Sequence, residues 1–325
     1  MRAIQKLKNK KQQITIDWHS DIYFSKEYAK LRRKDTIFST LRIRKLSDLA
    51  FRKREEYIIR YLSKSIKGVI TKYQDKRLSG KHVDNAPIWI CWWTGLETAP
   101  SIVKQCVKSI YKRANNHPVY LITEKNYQEH IQIPAIVLKK LKSAQMGVAH
   151  FCDYLRVALL EKYGGLWLDA TIYCSQPVPD WCFDLPFFTL KSPYTESRYI
   201  SKYQWVTFCL GGWKGNQFYS FLKEAFEEYW SKNDYAIDYL FFDYLIYVAR
   251  ESCPFIKKMM DDVPENTPHR DDLQAAMNAA LPAEQFWQVI REDTELYKLS
   301  WRETYSEKTA DGQQSVYGYF LNMEL

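Results

Sequence analysis

Apolar residues recur at helix-compatible spacing through the first eighty residues. Leu41, Leu46, Leu49, Phe51, Ile58, Ile59 and Leu62 stand between basic side chains, which predicts a mostly helical segment. Residues 78–87 (Leu-Ser-Gly-Lys through Pro) read as a linker. The pattern then changes. Residues 88–92 (Ile-Trp-Ile-Cys-Trp) form a short unbroken apolar run that suits a buried strand. Pro100 stands where a helix can start, and residues 102–111 continue it. Residues 119–122 predict a second strand and residues 126–130 a short helix. Alternation of this kind argues for parallel strands joined by helical crossovers. Further along, residues 186–191 and 205–210 predict strands and residues 211–215 (Gly-Gly-Trp-Lys-Gly) a tight turn. Asn216 is placed to cap a helix reaching about Trp230. Helices then dominate residues 235–290, and residues 296–301 predict a late strand. The chain has no internal repeat and no low-complexity tract.

Residues 149–171 concentrate the candidate chemistry. Asp153 and Arg156 lie three apart on a helical pattern and share a face. Leu155, Ala158 and Leu159 supply that helix with an apolar stripe. Gly164-Gly165 ends it, since glycine takes the left-handed C-cap conformation without a Cβ clash. Leu166-Trp167-Leu168 predicts a buried strand that delivers Asp169 to its C-terminal edge, where open α/β sheets bind ligands.

This unit resembles the core of sugar-nucleotide glycosyltransferases with the GT-A fold, and more narrowly the capsular polysaccharide synthesis proteins grouped with family 32 glycosyltransferases. Cys-Asp-x-x-Arg at 152–156, Tyr-Gly-Gly-x-Trp-x-Asp at 163–169 and Asp-Ala-Thr at 169–171 carry the resemblance, which is expected to cover residues 87 to about 301. It implies an α/β fold: a GT-A-like, Rossmann-type mixed sheet flanked by helices over residues 86–325, preceded by a basic helical region over residues 1–85.

The resemblance also implies a retaining transfer of a sugar from a nucleoside diphosphate donor, UDP-linked by expectation, to a capsular or other surface glycan acceptor, free or lipid-linked. Asp169 corresponds to the first acid of the Asp-x-Asp motif, which touches the ribose and a divalent metal's coordination sphere; the plainer reading is a strand-end aspartate capping a turn. Many relatives carry a second acid where this chain has Thr171. The resemblance implies Mn²⁺ or Mg²⁺ held by Asp169 and Thr171. A threonine hydroxyl is a weak neutral ligand, so either no metal is used or the missing charge comes from His269, Asp243 or the Asp271-Asp272 pair. The alternative that Thr171 invites is a sugar-nucleotide-binding or scaffold protein that kept the fold without catalysis. By the same resemblance Asp153 and Arg156 contact the donor sugar, although the pair also reads as an ordinary intrahelical salt bridge. Trp93, chosen over Trp92 for its offset from Gly95, is set against the base. Gly211 and Gly212 either let backbone N–H groups approach the sugar or form a plain turn. No Ser-His-Asp or Cys-His arrangement and no phosphate loop is legible.

Charge adds a separate feature. Residues 1–80 carry 22 Lys/Arg against 8 Asp/Glu, a balance of +14, whereas residues 81–325 carry 25 against 30, a balance of −5. A solvated helical face, an anionic membrane surface and nucleic acid compete as explanations. The absence of a zinc, homeodomain-like or RNP signature disfavours the last. The seven cysteines show no Cys-x-x-Cys spacing, so reduced thiols in a cytosolic compartment are expected rather than a disulfide framework. Residues 1–6 hold no apolar run, and residues 235–249 are broken by Asp238 and Asp243. Neither a secretory signal nor a membrane span is expected. The location expected is cytoplasmic, peripheral on the inner face of the cell membrane.

Overall fold

The computed structural model describes residues 20–194, 197–280, 290 and 292–324. Its centre is a five-stranded mixed sheet of β1 (Ile88–Cys91), β2 (Val119–Ile122), β3 (Gly165–Leu168), β5 (Phe187–Thr189) and β6 (Cys209–Gly212), in the order β2-β1-β3-β6-β5. β1 pairs in parallel with both β2 and β3, while β6 runs antiparallel to its two neighbours, β3 and β5. A two-stranded ribbon of β4 (Ile172–Cys174) and β7 (Leu296–Lys298) stands beside the sheet.

Strand alternation explains why both faces are covered. Trp89, Trp167 and Leu210 point into one hydrophobic cluster; Ile88, Ile90, Leu166 and Leu168 point into the other. The first cluster is completed by the helices Val148–Tyr163, Gln217–Lys232 and Phe241–Ser252, and the second by Ser101–Lys112.

The basic N-terminal helices Lys26–Thr40, Arg44–Ser65 and Lys67–Tyr73 have no core of their own. Tyr28, Ile58, Leu62, Ile66, Val69 and Tyr73 enter the same cluster as Trp89 and Trp167. Polar ties reinforce the seam: Tyr61 donates to Asn233 Oδ1 at 2.6 Å, and Lys72 pairs with Glu224 at 2.6 Å. The boundary expected at residues 85/86 therefore does not separate two hydrophobic cores.

Two expectations are corrected. The strand expected at 205–210 lies at 209–212, so Gly211-Gly212 is the end of β6 and not a turn. The reason is close packing on both sides. A Cβ on Gly212 would lie 2.6 Å from the Pro186 carbonyl oxygen, and one on Gly211 would lie 3.1 Å from Leu166. The motif helix is also longer than its apolar stripe suggested, beginning at Val148.

Gly164 (φ +72°) ends that helix as expected. Gly165 (φ +96°) starts β3 against Pro87, whose carbonyl accepts from Leu166 N at 2.9 Å. A Cβ on Gly165 would lie 2.1 Å from the Pro87 oxygen. Gly165→Ala is thus expected to cost at least about 3 kcal/mol through combined strain and clash, measurable as a fall in the urea midpoint or as failure to fold.

Candidate active site

β1 is flanked by parallel neighbours on both sides, which makes the β1/β3 boundary a topological switch point, the place where open α/β sheets form a ligand crevice. The segments leaving the C-terminal ends of these two strands, 92–94 and 169–171, line one cleft of about 860 Å³ together with His150, Asp153, Arg156, Asp243, Lys298 and Trp301. A volume of this order suits a ligand of nucleotide size.

Arg156 organises the floor. Its guanidinium projects from the motif helix between two carboxylates, reaching Asp153 Oδ1 at 2.7 Å and Asp169 Oδ1 at 3.1 Å. It stacks on Trp167 at 4.8 Å and Phe242 at 5.5 Å, and is only 5% exposed. Burial works against its charge, but Asp153 and Asp169 more than offset that and hold its pKa above the ordinary arginine value. The i,i+3 salt bridge of the plainer reading exists, then, but it is one arm of a fork. Trp167 Nε1 also donates to Asp169 Oδ1 at 3.0 Å. Each carboxylate therefore has one oxygen tied down. The second oxygen of Asp153 lies 3.6 Å from His150 Nδ1, and that of Asp169 lies 3.6 Å from Lys298 Nζ. These are the oxygens left for a ligand hydroxyl. Arg156 itself has little surface to offer a sugar.

Lys298 was not among the residues picked out by pattern. It arrives from far along the chain, 127 residues beyond Thr171: the β4–β7 register sets Lys298 opposite Ile172, and Leu299 N donates to Thr171 O at 2.9 Å. Its ammonium donates to the Thr171 hydroxyl, faces Asp169, and lies 5.0 Å from the Phe208 ring. Thr171 is only 5% exposed.

This donor set does not fit a divalent cation. The one carboxylate in it, Asp169, already lies between two cations, and the hydroxyl beside it is bonded to one of them. A hard divalent ion requires several oxygen ligands, of which few here are free. Among the described residues, no group of three or more His, Cys, Asp or Glu side chains is placed to hold a metal. The other sources of charge do not converge. His269 pairs with Asp272 at 2.9 Å and approaches Asp293 at 3.8 Å, while Asp271 lines the cleft but faces Arg270 at 3.4 Å.

Asp243 does reach the cleft. It accepts from Trp205 Nε1 at 3.0 Å, and burial, with a smaller contribution from Asp153, pushes its carboxyl up to about 7. The folded protein thus retains a proton there that the unfolded chain releases near 3.8. The associated stability is fully present below pH 3.8 and is lost as pH rises to about 7. Asp243→Asn, which keeps the acceptor for Trp205, is expected to remove that slope and raise stability at pH 8. About 4 kcal/mol, at about 1.4 kcal/mol per pH unit, is the upper bound. Urea unfolding at pH 5 and pH 8 measures it.

The aromatic wall comes from the end of β1. Gly95 (φ +83°) closes a turn in which its N–H donates to Trp92 O at 2.9 Å. Both tryptophans line the cleft, from opposite faces: Trp93 packs against the cluster that holds Trp89, and Trp92 against the one that holds Ile88. Trp93 packs on Phe151 at 5.1 Å and Tyr127 at 5.5 Å, whereas Trp92 meets Trp301 edge-on at 5.7 Å. Gly211 and Gly212 are buried in the sheet and do not line the cleft. All seven cysteines are free thiols. Cys91 and Cys152 touch at 3.7 Å in the cleft, and that contact together with burial pushes the Cys91 thiol far above its ordinary value, leaving it neutral and a poor nucleophile.

The sequence model for a family described as capsular polysaccharide synthesis protein matches residues 39–320. The match runs well beyond the expected 87–301 and takes in most of the N-terminal helices. No curated protein and no solved structure is significantly similar to the chain.

Proposed function

The chain belongs to the capsular polysaccharide synthesis protein family, and within that assignment we propose that it is a retaining glycosyltransferase using a nucleoside diphosphate sugar, UDP-linked in the first instance, with a growing surface glycan, free or lipid-linked, as acceptor. One observation carries this reading: a buried arginine fork holds one oxygen of Asp153 and one of Asp169 at a switch-point crevice and leaves the other two facing the cleft. Two fixed acceptors beside tryptophans suit vicinal hydroxyls of a sugar or ribose and the flat base attached to them.

In this reading Asp169 and Asp153 accept from donor hydroxyls, Trp93 and Trp92 flank the base, and Arg156 positions the two carboxylates. Lys298 supplies the positive charge for the diphosphate that a metal supplies in Asp-x-Asp enzymes. No carboxylate is assigned as a covalent nucleophile. The bond from the anomeric carbon to the phosphate oxygen breaks on the face where the acceptor hydroxyl attacks. The departing phosphate oxygen takes the acceptor's proton, so nucleoside diphosphate and extended glycan are the products.

Incubating the purified chain with a panel of sugar nucleotides, with and without capsular oligosaccharide, tests the reading by release of nucleoside diphosphate. Tight donor binding without release under any acceptor would instead support a non-catalytic component of the same biosynthetic assembly, the possibility that Thr171 leaves open.

A further inference from the structure

The helical hairpin at the N-terminal end is built inside out at its tip. The helices Lys26–Thr40 and Arg44–Ser65 pack along each other and are joined at Leu41–Ile43. Within this tip the buried side chains are polar apart from the small Ala50: Asp35 and Ser47 are 8% and 3% exposed, tied to each other at 3.2 Å and to Arg54 and Arg198. The large aliphatic side chains face outward. Leu41 is 62% exposed, Leu49 51% and Ile37 46%, with Ile43 and Leu46 beside them. Five such residues within thirteen positions make a patch, not the scattered exposure normal for a surface.

Charge identifies what covers it. Residues 33–53 carry seven Lys/Arg and two Asp; Asp35 is bound internally, and Asp48 lies 3.9 Å from Arg198. The helix Arg44–Ser65 starts with no side-chain cap and no acid in its first turn. Arg44 and Lys45 there set positive charge at the positive end of the helix dipole, an arrangement disfavoured in water and relieved by an anion. Nucleic acid would match the charge but not the leucines. A second copy of the chain would set like charge against like across a twofold. A bilayer with anionic headgroups satisfies both halves of the pattern, with aliphatics entering the acyl boundary and basic side chains reaching phosphates. Among the described residues no helix is long and apolar enough to cross a membrane, so the contact is with one surface.

We propose that the hairpin tip, centred on Leu41 and flanked by Arg42, Arg44 and Lys45, docks the protein on an anionic lipid surface. The inference is independent of the transferase reading. Flotation of the full chain with phosphatidylcholine vesicles, with and without phosphatidylglycerol, tests it. Wild type is expected to float only with the anionic vesicles, less so in high salt. Leu41→Ser/Leu49→Ser is expected to reduce the vesicle-bound fraction at least about tenfold, and Arg42→Glu/Lys45→Glu to abolish it. Because these side chains are exposed, both variants should keep the wild-type melting temperature, and Leu41→Phe/Leu49→Phe should keep binding. Absence of flotation by wild type, equal flotation by all variants, or a wild-type dimer in light scattering that the leucine variant converts to monomer would each overturn the proposal.

Discussion

Asp169→Asn is expected to fold normally and to lose transfer by about 10²- to 10³-fold in kcat/KM. The substitution changes little in shape. The amide oxygen can replace Oδ1 as acceptor for Arg156 and Trp167, and Arg156 still keeps Asp153 at 2.7 Å. What disappears is the negative charge between Arg156 and Lys298 and the acceptor that faces the cleft. An NH₂ group takes the place of Oδ2 and points a donor at the Lys298 ammonium, 3.6 Å away in the native protein. A ligand hydroxyl that found an acceptor there now meets another donor, and the two cations lose their shared counter-ion. Because the side chain lies at the cleft edge, 31% accessible, the loss should fall on activity far more than on stability. Nucleoside diphosphate release read beside a thermal melt separates the two. Full turnover by a folded Asp169→Asn protein would remove Asp169, and with it the arginine fork, from the site.

The part of this site that lies close together in sequence was legible there. Asp153, Arg156 and Asp169 fall within one helix–glycine–strand unit, and local rules suffice: helical spacing fixes the shared face, Gly164 the stop, and an apolar triplet the strand. The strands at 88–91 and 119–122 were equally clear because short β-rich runs between helical segments leave few alternatives. Gly211-Gly212 misled because glycine usually signals a turn. Here it reports crowding by Pro186 and Tyr219, which only the tertiary structure reveals. Lys298 was out of reach for another reason. Its strand was anticipated, but no local pattern tells which residue of a three-residue strand will oppose Ile172, and that register alone delivers the ammonium to Thr171. The hairpin tip shows the converse. Its aliphatics have ordinary helical spacing, which predicts the helices but not which side faces inward; buried Asp35 and Ser47, tied to Arg54 and to the exposed Arg198, occupy that interior instead.

Lys298→Met is expected to weaken donor binding by about 10- to 100-fold, the equivalent of one charge-assisted hydrogen bond of about 1.5–3 kcal/mol, and to reduce turnover further. Methionine keeps an unbranched apolar stem of similar reach while deleting the charge, including the ammonium's approach to the Phe208 ring. In the proposed transfer the leaving diphosphate gains one negative charge as its bond to the sugar breaks, and a fixed ammonium in the cleft offsets that charge without reorganisation. The native enzyme should accordingly retain activity in EDTA. Added Mn²⁺ should recover little in the Lys298→Met variant, because one carboxylate and one hydroxyl make a poor site for a hard divalent ion. The opposite result is equally informative. If EDTA silences the wild-type enzyme and Mn²⁺ restores it, then donor binding must displace the ammonium from Asp169 and Thr171. The lysine would then act as a gate on a metal site, and Lys298→Met should bind metal more tightly than wild type. Titrating both proteins with Mn²⁺ in the presence of UDP decides between a built-in cation and a borrowed one.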